Sequence, residues 1–538
     1  MSFYVIGIGG TSARCVESLI HLCAMGLGPD KLHILFVDPD EAHGNLNRVK
    51  VLISRYLTLK KELNFPEDFR LFKTEITFSR DENKQPIYAW SPVREERTLS
   101  KYFKYHTLST EYQDLCRVLY TRSELEDLEW DQGFRGRASV GAPVMAGISN
   151  QLNKEPWHTL IQNIKNTLGN GYFAKLFIFA TIFGATGASG FPTIAKILRD
   201  EANKENWGNK EKFKIGGALL LPYFSYNIPS EKQDTIYAHP EHFILNAKTA
   251  LSHYHFLWRE GSPYDAVYLM GERILDAKDR TYAEGGINQE NPVHYIELLS
   301  ALSALDFYFQ KHQEGRQRLF SYYAGREVPN EEAKTVNWQD IPLSEKLENE
   351  ALFFTSLGIA YLSFYLPLIK SEKYEEARDL IPWDADFFRK GQLRLGKAQK
   401  ILDELASYFY SYLRWVCEFH LSTEQDLRLF NKDVLKNVFS HIKNGEELAG
   451  KIDEESFKTI LAPEARPYTP LKYGYDELWE EMCRIKETIK KKKEEERLST
   501  VPPGGETGEF ATGKLVLLLY KAIKRFCNKN YGLKLEEE

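Results

Sequence analysis

Residues 3–12 read FYVIGIGGTS, and this segment carries the strongest fold signal in the chain. The apolar run from Phe3 to Ile8 predicts a buried strand, and the glycines that follow predict a turn. Residues 13–25 then carry apolar side chains at helical spacing, and a second apolar run follows at 33–37. We therefore predict a parallel βαβ unit with a glycine turn at the start of its helix.

A second glycine turn, FGATGASG at 183–190, follows another apolar strand at 176–181. Glycines at such a junction let the backbone approach a phosphate, which unpaired N–H groups and the helix dipole attract. Because both turns lie at the carboxyl ends of strands in one parallel sheet, we predict that they bind one phosphate-containing ligand. The candidate residues are Gly7, Gly9, Gly10, Thr11 and Ser12 in the first turn and Gly184, Ala185, Thr186, Gly187, Ala188 and Ser189 in the second.

Strand and helix patterns alternate over the first half of the chain. Further strands are predicted at 215–221 and 266–270, and helices near Pro192 and at 243–258. This alternation predicts an α/β fold with a doubly wound parallel sheet. We assign it to residues 1–290, with helices and loops inserted at 50–130.

The second half of the chain is predicted to be mainly α-helical, because long amphipathic stretches replace the strand signals. The predicted segments are a helical domain at 291–497, a linker at 498–513, and a C-terminal amphipathic helix and tail at 514–538. Within the tail, the helix at 514–531 either packs on the body of the protein or contacts a partner.

Charged residues near the two turns are further candidates for ligand contacts. Asp38 and Asp40 end the second strand, where they are suited to ribose hydroxyls, to Mg²⁺ or to capping a turn. Arg135 and Arg137 lie in a loop with Gly136 and Gly141, where guanidinium groups would clamp a phosphate or remain solvated. The sequence pattern does not indicate a metal site formed by protein side chains alone.

Composition excludes several other functions. The 538 residues carry a formal charge of −6, so there is no general basic field for nucleic acid or membrane. The six cysteines form no C-x-x-C pair, and no signal-peptide pattern is present, so we expect a cytoplasmic protein. The apolar stretch 351–369 is long enough to cross a bilayer, but its internal polar residues and flanking charges favour a buried helix.

The order of these segments resembles the tubulin/FtsZ superfamily over residues 5–275. Segment 7–13 resembles the family's first glycine loop, 136–141 its γ-phosphate loop, and 183–189 its G-G-G-T-G-[ST]-G signature. Downstream, LPYF at 221–224 and DAVYL at 265–269 also resemble family segments. The resemblance is to divergent bacterial tubulin-like proteins. It implies a purine nucleotide with Mg²⁺, GTP being favoured over ATP, in a slow NTPase or a nucleotide-gated assembly switch that associates with itself or a partner protein.

The chain departs from that family at four positions. Phe183 and Ser189 replace signature glycines, Arg14 replaces a base-contacting Asn of FtsZ, and Gly271 replaces the Asn that reads guanine. Arg14 is therefore a candidate for a phosphate or base contact. No catalytic residue is assigned.

Two other interpretations remain. Gly7-x-Gly9-Gly10, Asp38-x-Asp40 and NLNR at 45–48 also resemble the ATP-dependent adenylating enzymes that activate ubiquitin-like proteins. The chain lacks their C-x-x-C pairs, and the second glycine turn has no counterpart in them. The lost signature glycines are instead compatible with a non-catalytic scaffold that has a degenerate nucleotide fold, for example in phage defence.

Overall fold

The computed structural model describes residues 2–63, 69–93, 96–130, 133–228, 239–271, 279–280, 286–287, 289–310, 320–321, 341–377, 381, 384, 388, 392–394, 396–422, 432–444, 448, 478–487, 508–531 and 533.

The strands are β1 (Ser2–Ile8), β2 (Lys31–Val37), β3 (Glu75–Thr77), β4 (Ser79–Arg80), β5 (Pro86–Ile87), β6 (Ala89–Trp90), β7 (Ala174–Thr181), β8 (Phe213–Leu220), β9 (Ser225–Tyr226), β10 (Ala266–Met270), β11 (Asp279–Arg280) and β12 (Phe320–Ser321). The helices of the first part of the chain are α1 (Gly10–Ala24), α2 (Gly44–Leu63), α3 (Leu99–Tyr102), α4 (Thr110–Leu119), α5 (Ala138–Ala146), α6 (Trp157–Gly169), α7 (Ala185–Lys204), α8 (Phe243–Leu257) and α9 (Tyr295–Phe309). They are followed by α10 (Ser344–Ala360), α11 (Leu366–Lys370), α12 (Tyr374–Ala377), α13 (Gly396–Leu421), α14 (Lys432–Lys443), α15 (478–487) and α16 (Gly508–Tyr531).

The main sheet is parallel and has eight strands. Its order is β12-β10-β8-β7-β1-β2-β3, and β6 also pairs with β2. Strands β2, β3 and β6 lie on one side of β1, and strands β7, β8, β10 and β12 lie on the other side. The direction in which strands are added to the sheet therefore reverses between β1 and β7. Every residue of β7 and β8 is buried, as expected for parallel strands covered on both faces. The predicted doubly wound α/β fold is confirmed.

The helix after β7 begins earlier than predicted. It starts at Ala185 and contains Pro192, which the sequence prediction placed in its first turn. Because proline has no N–H, the carbonyl of Ala188 loses the helical hydrogen bond that residue 192 would have donated. The Tyr254 hydroxyl donates to this carbonyl instead, at 2.6 Å. A contact distant in sequence therefore allows the proline inside the helix.

The chain divides into two compact units. The sheet unit comprises Met1–Leu19, Gly28–Val51 and Thr74–Pro342. It extends beyond the predicted boundary at residue 290, because α9 packs on β7, β8 and β10. The predicted insertion at 50–130 also holds β3 and β6, which pair with β2 rather than forming helices and loops alone.

The helical unit comprises Ile20–Leu27, Leu52–Lys73 and Leu343–Glu538. Its core contains α10, α13 and α16, which pack on one another. The Tyr412 and Thr355 hydroxyls share a buried hydrogen bond of 2.9 Å, and the Tyr361 hydroxyl donates to the Leu402 carbonyl. Helical structure in the second half of the chain is confirmed.

Two apolar segments of the helical unit are buried. The apolar helix at Ser344–Lys370 meets the length and hydropathy of a membrane span, but most of its apolar window is buried in the protein. α16 buries one face, including Leu515, Leu519, Ile523 and Phe526, against α10 and α13. The apolar face of the predicted partner helix at 514–531 is therefore used within the protein. α16 begins at Gly508, so the last six residues of the predicted linker are helical and the remainder lies outside the described residues.

Candidate functional site

The two glycine turns follow the two strands at which the order of the sheet reverses. β1 pairs directly with β7, with Gly7 opposite Phe179. α1 starts two residues after β1, at Gly10, and α7 starts at Ala185 after β7. The crevice at such a reversal, outside the carboxyl ends of the strands, is where doubly wound sheets bind ligands.

The two turns are in contact with each other. Gly9 has a φ of +80°, and a Cβ placed on it would lie 3.6 Å from Thr186 Cβ and 3.9 Å from Gly187 N. A Cβ placed on Gly133, whose φ is +79°, would lie 3.7 Å from Thr186 Oγ1. Two glycine-containing loops, those of Gly9 and Gly133, therefore approach Thr186 in the first turn of α7.

The first turns of α1 and α7 supply backbone donors at this point. Gly184, the N-cap residue of α7, has extended backbone and makes no side-chain cap. The first N–H groups of a helix have no partner within the helix, and they carry its positive dipole end. Two helices that begin beside each other in this way provide a suitable environment for an anion.

Ser189, which replaces a signature glycine, is accommodated inside α7. Its hydroxyl donates to the Ala185 carbonyl at 2.8 Å, within the first turns of the helix. A Cβ at Gly141 would lie 2.5 Å from Ser189 Oγ, so α5 and α7 approach closely because residue 141 is glycine. Gly141 therefore serves packing between the two helices.

Arg14 lies in a buried network rather than in the loop. Its Nε donates to Glu297 Oε1 at 2.6 Å, and its Nη2 donates to the Tyr223 hydroxyl at 3.0 Å. The Tyr223 hydroxyl also donates to Glu297, at 2.5 Å. Burial lowers the pKa of Arg14, but the charges and hydrogen bonds of Glu297 and Tyr223 together outweigh burial, so the pKa is raised and the charge persists. Arg14 thus fastens α1 to α9, a role that its position in the sequence did not indicate.

Asp38 and Asp40 differ in their surroundings. Burial, partly offset by the hydrogen bond from the Asp40 N–H, raises the pKa of Asp38 to about 8. Asp40 accepts from the N–H groups of Ala42 and Gly286, the latter at 2.7 Å. Both carboxylate oxygens of Asp40 thus accept hydrogen bonds from the chain itself, and the described residues contain no group of three His, Cys, Asp or Glu suited to a metal. Of the roles considered for Asp40, which were a ribose contact, a Mg²⁺ ligand and a turn cap, its hydrogen bond from the Ala42 N–H corresponds to the turn cap.

The NLNR segment at 45–48 also binds the chain itself. Asn45 Oδ1 accepts from the Asn291 N–H at 2.9 Å, and Arg48 pairs with Glu17 at 2.8 Å. Asp40 and Asn45 hold the strand-to-helix loop at 38–45 against residues 286 and 289–291. The residues that would hold ATP in the adenylating-enzyme interpretation have structural contacts instead.

His43 is a residue of the site that the sequence did not single out. A Cβ at Gly10 would lie 2.0 Å from His43 Nε2, so the imidazole covers the first residue of α1. His43 Nδ1 accepts from the Asn45 N–H at 3.2 Å, which leaves the ring proton on Nε2. Burial, and then the charge of Arg14, lowers its pKa to about 4, so the ring is neutral at pH 7. A lone histidine in a loop gives no signal from which this contact could be predicted.

The remaining candidates lie around the edge of the site. Arg135 has a φ of 44° in the loop before α5, and Arg137 pairs with Glu124 at 2.6 Å. Phe183 packs on Phe243 and Phe224, with ring centroids 4.9 and 5.5 Å away. A side chain at Gly271 would meet Leu221 Cβ at 2.7 Å, so an asparagine cannot replace it without a shift.

Fold and site together define a doubly wound α/β protein with a glycine-lined crevice at its strand-order reversal. No protein-family model matches the chain, and no curated protein matches it. Among solved structures it is similar to CetZ2 from Haloferax volcanii, described as a "GTPgS bound protofilament", with 14% identity and a TM-score of 0.25. The similarity covers 57% of this chain and 58% of that chain. A TM-score of this size does not establish a shared fold, so the architecture rests on the strand order.

Proposed function

We propose that this chain is a tubulin/FtsZ-like protein that binds a purine nucleotide by its phosphate groups between the first turns of α1 and α7. The observation that carries the proposal is the contact of the two glycine turns, with Gly9 packed against Thr186 and Gly187 at the strand-order reversal. One glycine turn is a common tight connection, whereas two in contact leave backbone donors facing one place.

Electrostatics at this place favour an anion. Each helix N-terminus carries roughly half a positive charge. Arg135 and Arg137 precede α5, whose close packing on α7 brings their loop to Thr186. Mg²⁺ commonly binds through substrate phosphates with one or two carboxylates, so we propose that it arrives with the nucleotide.

GTP is favoured by the resemblance, with ATP as the alternative. Neither Arg14, which pairs with Glu297, nor Gly271, which faces Leu221, supplies the base contacts of the family. The proposed hydrolysis is slow and rests on phosphate positioning and charge neutralisation. The other activity that we propose for this site is a switch in which the bound nucleotide controls assembly of the protein.

The bound nucleotide can be identified directly. Purified protein is denatured, and the released small molecules are separated by ion-exchange chromatography. Recovery of GDP or GTP supports the proposal as stated, and recovery of ATP or ADP supports it with a different base pocket. Failure of the purified protein to bind either triphosphate, in equilibrium titration with Mg²⁺, would favour the scaffold interpretation.

A substitution at Thr186 tests the position of the phosphates. Thr186→Asp places a carboxylate in the first turn of α7, where an acid stabilises the helix but repels a phosphate. We expect nucleotide affinity to fall by at least about tenfold with no loss of thermal stability, since one unfavourable charge contact costs about 1.4 kcal/mol or more. Thr186→Ser keeps the hydroxyl and is the matched control. Unchanged affinity in Thr186→Asp would place the ligand elsewhere.

The adenylating-enzyme alternative predicts a different result. It requires ATP–pyrophosphate exchange that depends on a protein substrate, and it requires Asp40 and Arg48 to contact ATP. Both residues hold other parts of the chain. We therefore expect no such exchange.

A further inference from the structure

The side chain of His43 lies directly over the start of α1. It is 7% exposed, and a Cβ built on Gly10 would overlap the Nε2, Cε1 and Cδ2 atoms of its ring. Gly10 is the first residue of α1, and the first N–H groups of a helix have no acceptor within the helix. The edge of the imidazole therefore covers the α1 half of the proposed phosphate site.

Two neighbouring groups hold the ring in this orientation. His43 directly precedes α2, and its Nδ1 accepts from the Asn45 N–H at 3.2 Å, as an N-cap side chain does. Because Nδ1 is an acceptor, the neutral ring carries its proton on Nε2. The ring also forms a hydrogen bond with the Gln289 side chain. The nitrogen that faces Gly10 is thus a donor, which is the type of group that a phosphate oxygen binds.

Electrostatics favour an anion as the partner of this donor. Burial, and then the charge of Arg14, lowers the pKa of His43 to about 4, so the ring is a neutral donor at pH 7. A hydrogen bond to a charged oxygen is roughly twice as strong as one between neutral groups. A phosphate is therefore a better acceptor for the Nε2 proton than the neutral amide of Gln289.

The backbone that carries His43 is fixed on its other side. The Gly44 N–H donates to the Gly286 carbonyl at 3.1 Å, and Asn45 Oδ1 accepts from the Asn291 N–H at 2.9 Å. These bonds hold the loop between β2 and α2 in place. A change of partner by His43 therefore needs movement of its side chain alone.

We propose that His43 is a phosphate-binding residue, whose Nε2–H leaves the Gln289 side chain and donates to a phosphate oxygen when a nucleotide binds at the start of α1. The exchange keeps Nδ1 on the Asn45 N–H, so α2 retains its cap. This inference rests on the proposed function, because the phosphate that it requires is that of the proposed nucleotide.

Two substitutions separate the phosphate contact from the helix cap. Asparagine is a preferred N-cap residue, but its amide reaches only about as far as Nδ1 of histidine, whereas the glutamine amide reaches about as far as Nε2. We expect His43→Asn to melt at the wild-type temperature and to bind GTP and ATP, each with Mg²⁺, about tenfold more weakly. His43→Gln should melt at a lower temperature and bind within about twofold of wild type.

The opposite pattern overturns the phosphate contact. If His43→Asn binds nucleotide as wild type does, or if both variants bind equally weakly, the ring serves only the cap of α2 and the packing on Gly10. Tighter binding by His43→Asn would show that the ring blocks the site, which also overturns the contact. Wild-type protein that binds neither triphosphate refutes the proposed function itself, whereas wild-type binding with unchanged binding by His43→Asn refutes this inference alone.

Gln289 tests the exchange of partners. Gln289→Leu removes the side-chain acceptor that competes with phosphate, so nucleotide affinity should rise about two- to fivefold. Gln289→Glu is the matched opposite, because its carboxylate would retain the Nε2 proton and repel the phosphate, and affinity should fall. Weaker binding by Gln289→Leu would show that this side chain supports the ligand site, and it would overturn the exchange.

NMR of protein with isotope-labelled histidine reports the contact directly. The His43 ring signal, assigned by its absence in His43→Gln, should shift when GTP or ATP is added with Mg²⁺. His33 is the internal control, because burial lowers its pKa to about 4 as well, while its Nδ1 lies 3.1 Å from Thr77 Oγ1 in β3, a partner outside the proposed site. A His43 signal that stays unchanged at saturating nucleotide overturns the proposal.

Discussion

Replacing Arg14 with methionine should destabilise the sheet unit far more than a surface substitution would. Arg14 and Glu297 approach to 2.6 Å, with side chains 3% and 0% exposed. Removing one partner of a buried ion pair leaves the other charge uncompensated and costs about 3 to 5 kcal/mol. Tyr223 and the His294 N–H still donate to Glu297, so we expect a cost near the lower end, about 3 kcal/mol.

The double variant Arg14→Met/Glu297→Gln isolates the ion pair. Glutamine retains an acceptor for Tyr223 and is suited to the third position of a helix with a capping box. Both charges are then removed, and the double variant should lie within about 1.5 kcal/mol of wild type. The interaction energy between residues 14 and 297 in this double-mutant cycle is then about 1.5 kcal/mol or more.

Hydrogen exchange measured by mass spectrometry suits this test, since it reports the opening of α9 and of residues 10–19 of α1 separately from the helical unit. Amide protection in these helices should fall in Arg14→Met and return in the double variant. A cost of less than about 1 kcal/mol for Arg14→Met, or additive effects of the two substitutions, would show that the pair does not stabilise the fold. A loss of nucleotide affinity without loss of protection would restore Arg14 as a ligand contact.

Two further predictions concern buried polar groups. Asp38 is protonated in the folded protein up to about pH 8 and ionised in the unfolded chain above about pH 4, so its folded state binds the extra proton and stability falls as pH rises between these values. Asp38→Asn should remove this dependence, so that its stability relative to wild type, measured by urea unfolding, rises by about 1 kcal/mol or more from pH 5 to pH 7.5. Asp200→Asn, at an exposed carboxylate that pairs with Lys196, is the control and should show no such gain. Tyr254→Phe should cost about 1 to 3 kcal/mol, since it leaves the buried Ala188 carbonyl without a donor. Pro192→Ala should rescue it in the double variant by restoring the helical N–H, and a melting temperature unchanged by Tyr254→Phe would contradict the account.

The sequence predicted the features that have local causes. The apolar runs and glycine turns depend on neighbouring residues, so the parallel sheet and the two turns at its carboxyl ends follow from them. The two turns meet at Thr186, and their binding of one ligand stays a prediction. The start of α7 was predicted wrongly because proline usually marks a first turn, and the compensating hydroxyl of Tyr254 lies 66 residues away.

Roles that depend on distant partners could not be predicted. Arg14 and the Asp38–Asp40 segment resemble ligand contacts in the sequence. In the structure, Arg14 binds Glu297, 283 residues away, and Asp40 accepts a hydrogen bond from Gly286, 246 residues away. His43 gave no signal, because its contact with Gly10 depends on how the loop at 38–45 folds over α1. Tertiary packing thus decides whether a charged residue beside a glycine turn contacts a ligand or another part of the chain.

The pairing of Arg14 with Glu297 has a consequence for biosynthesis. At about 5 to 20 residues per second, the 283 residues that separate the two take roughly 15 to 55 s to synthesise. During this time the first helix emerges from the ribosome with a cation that has no buried partner, and burying it alone is unfavourable. The N-terminal βαβ unit therefore cannot complete its packing early in translation. Its final assembly waits for α9, so the nascent chain depends on late, long-range closure rather than on vectorial folding from the N-terminus.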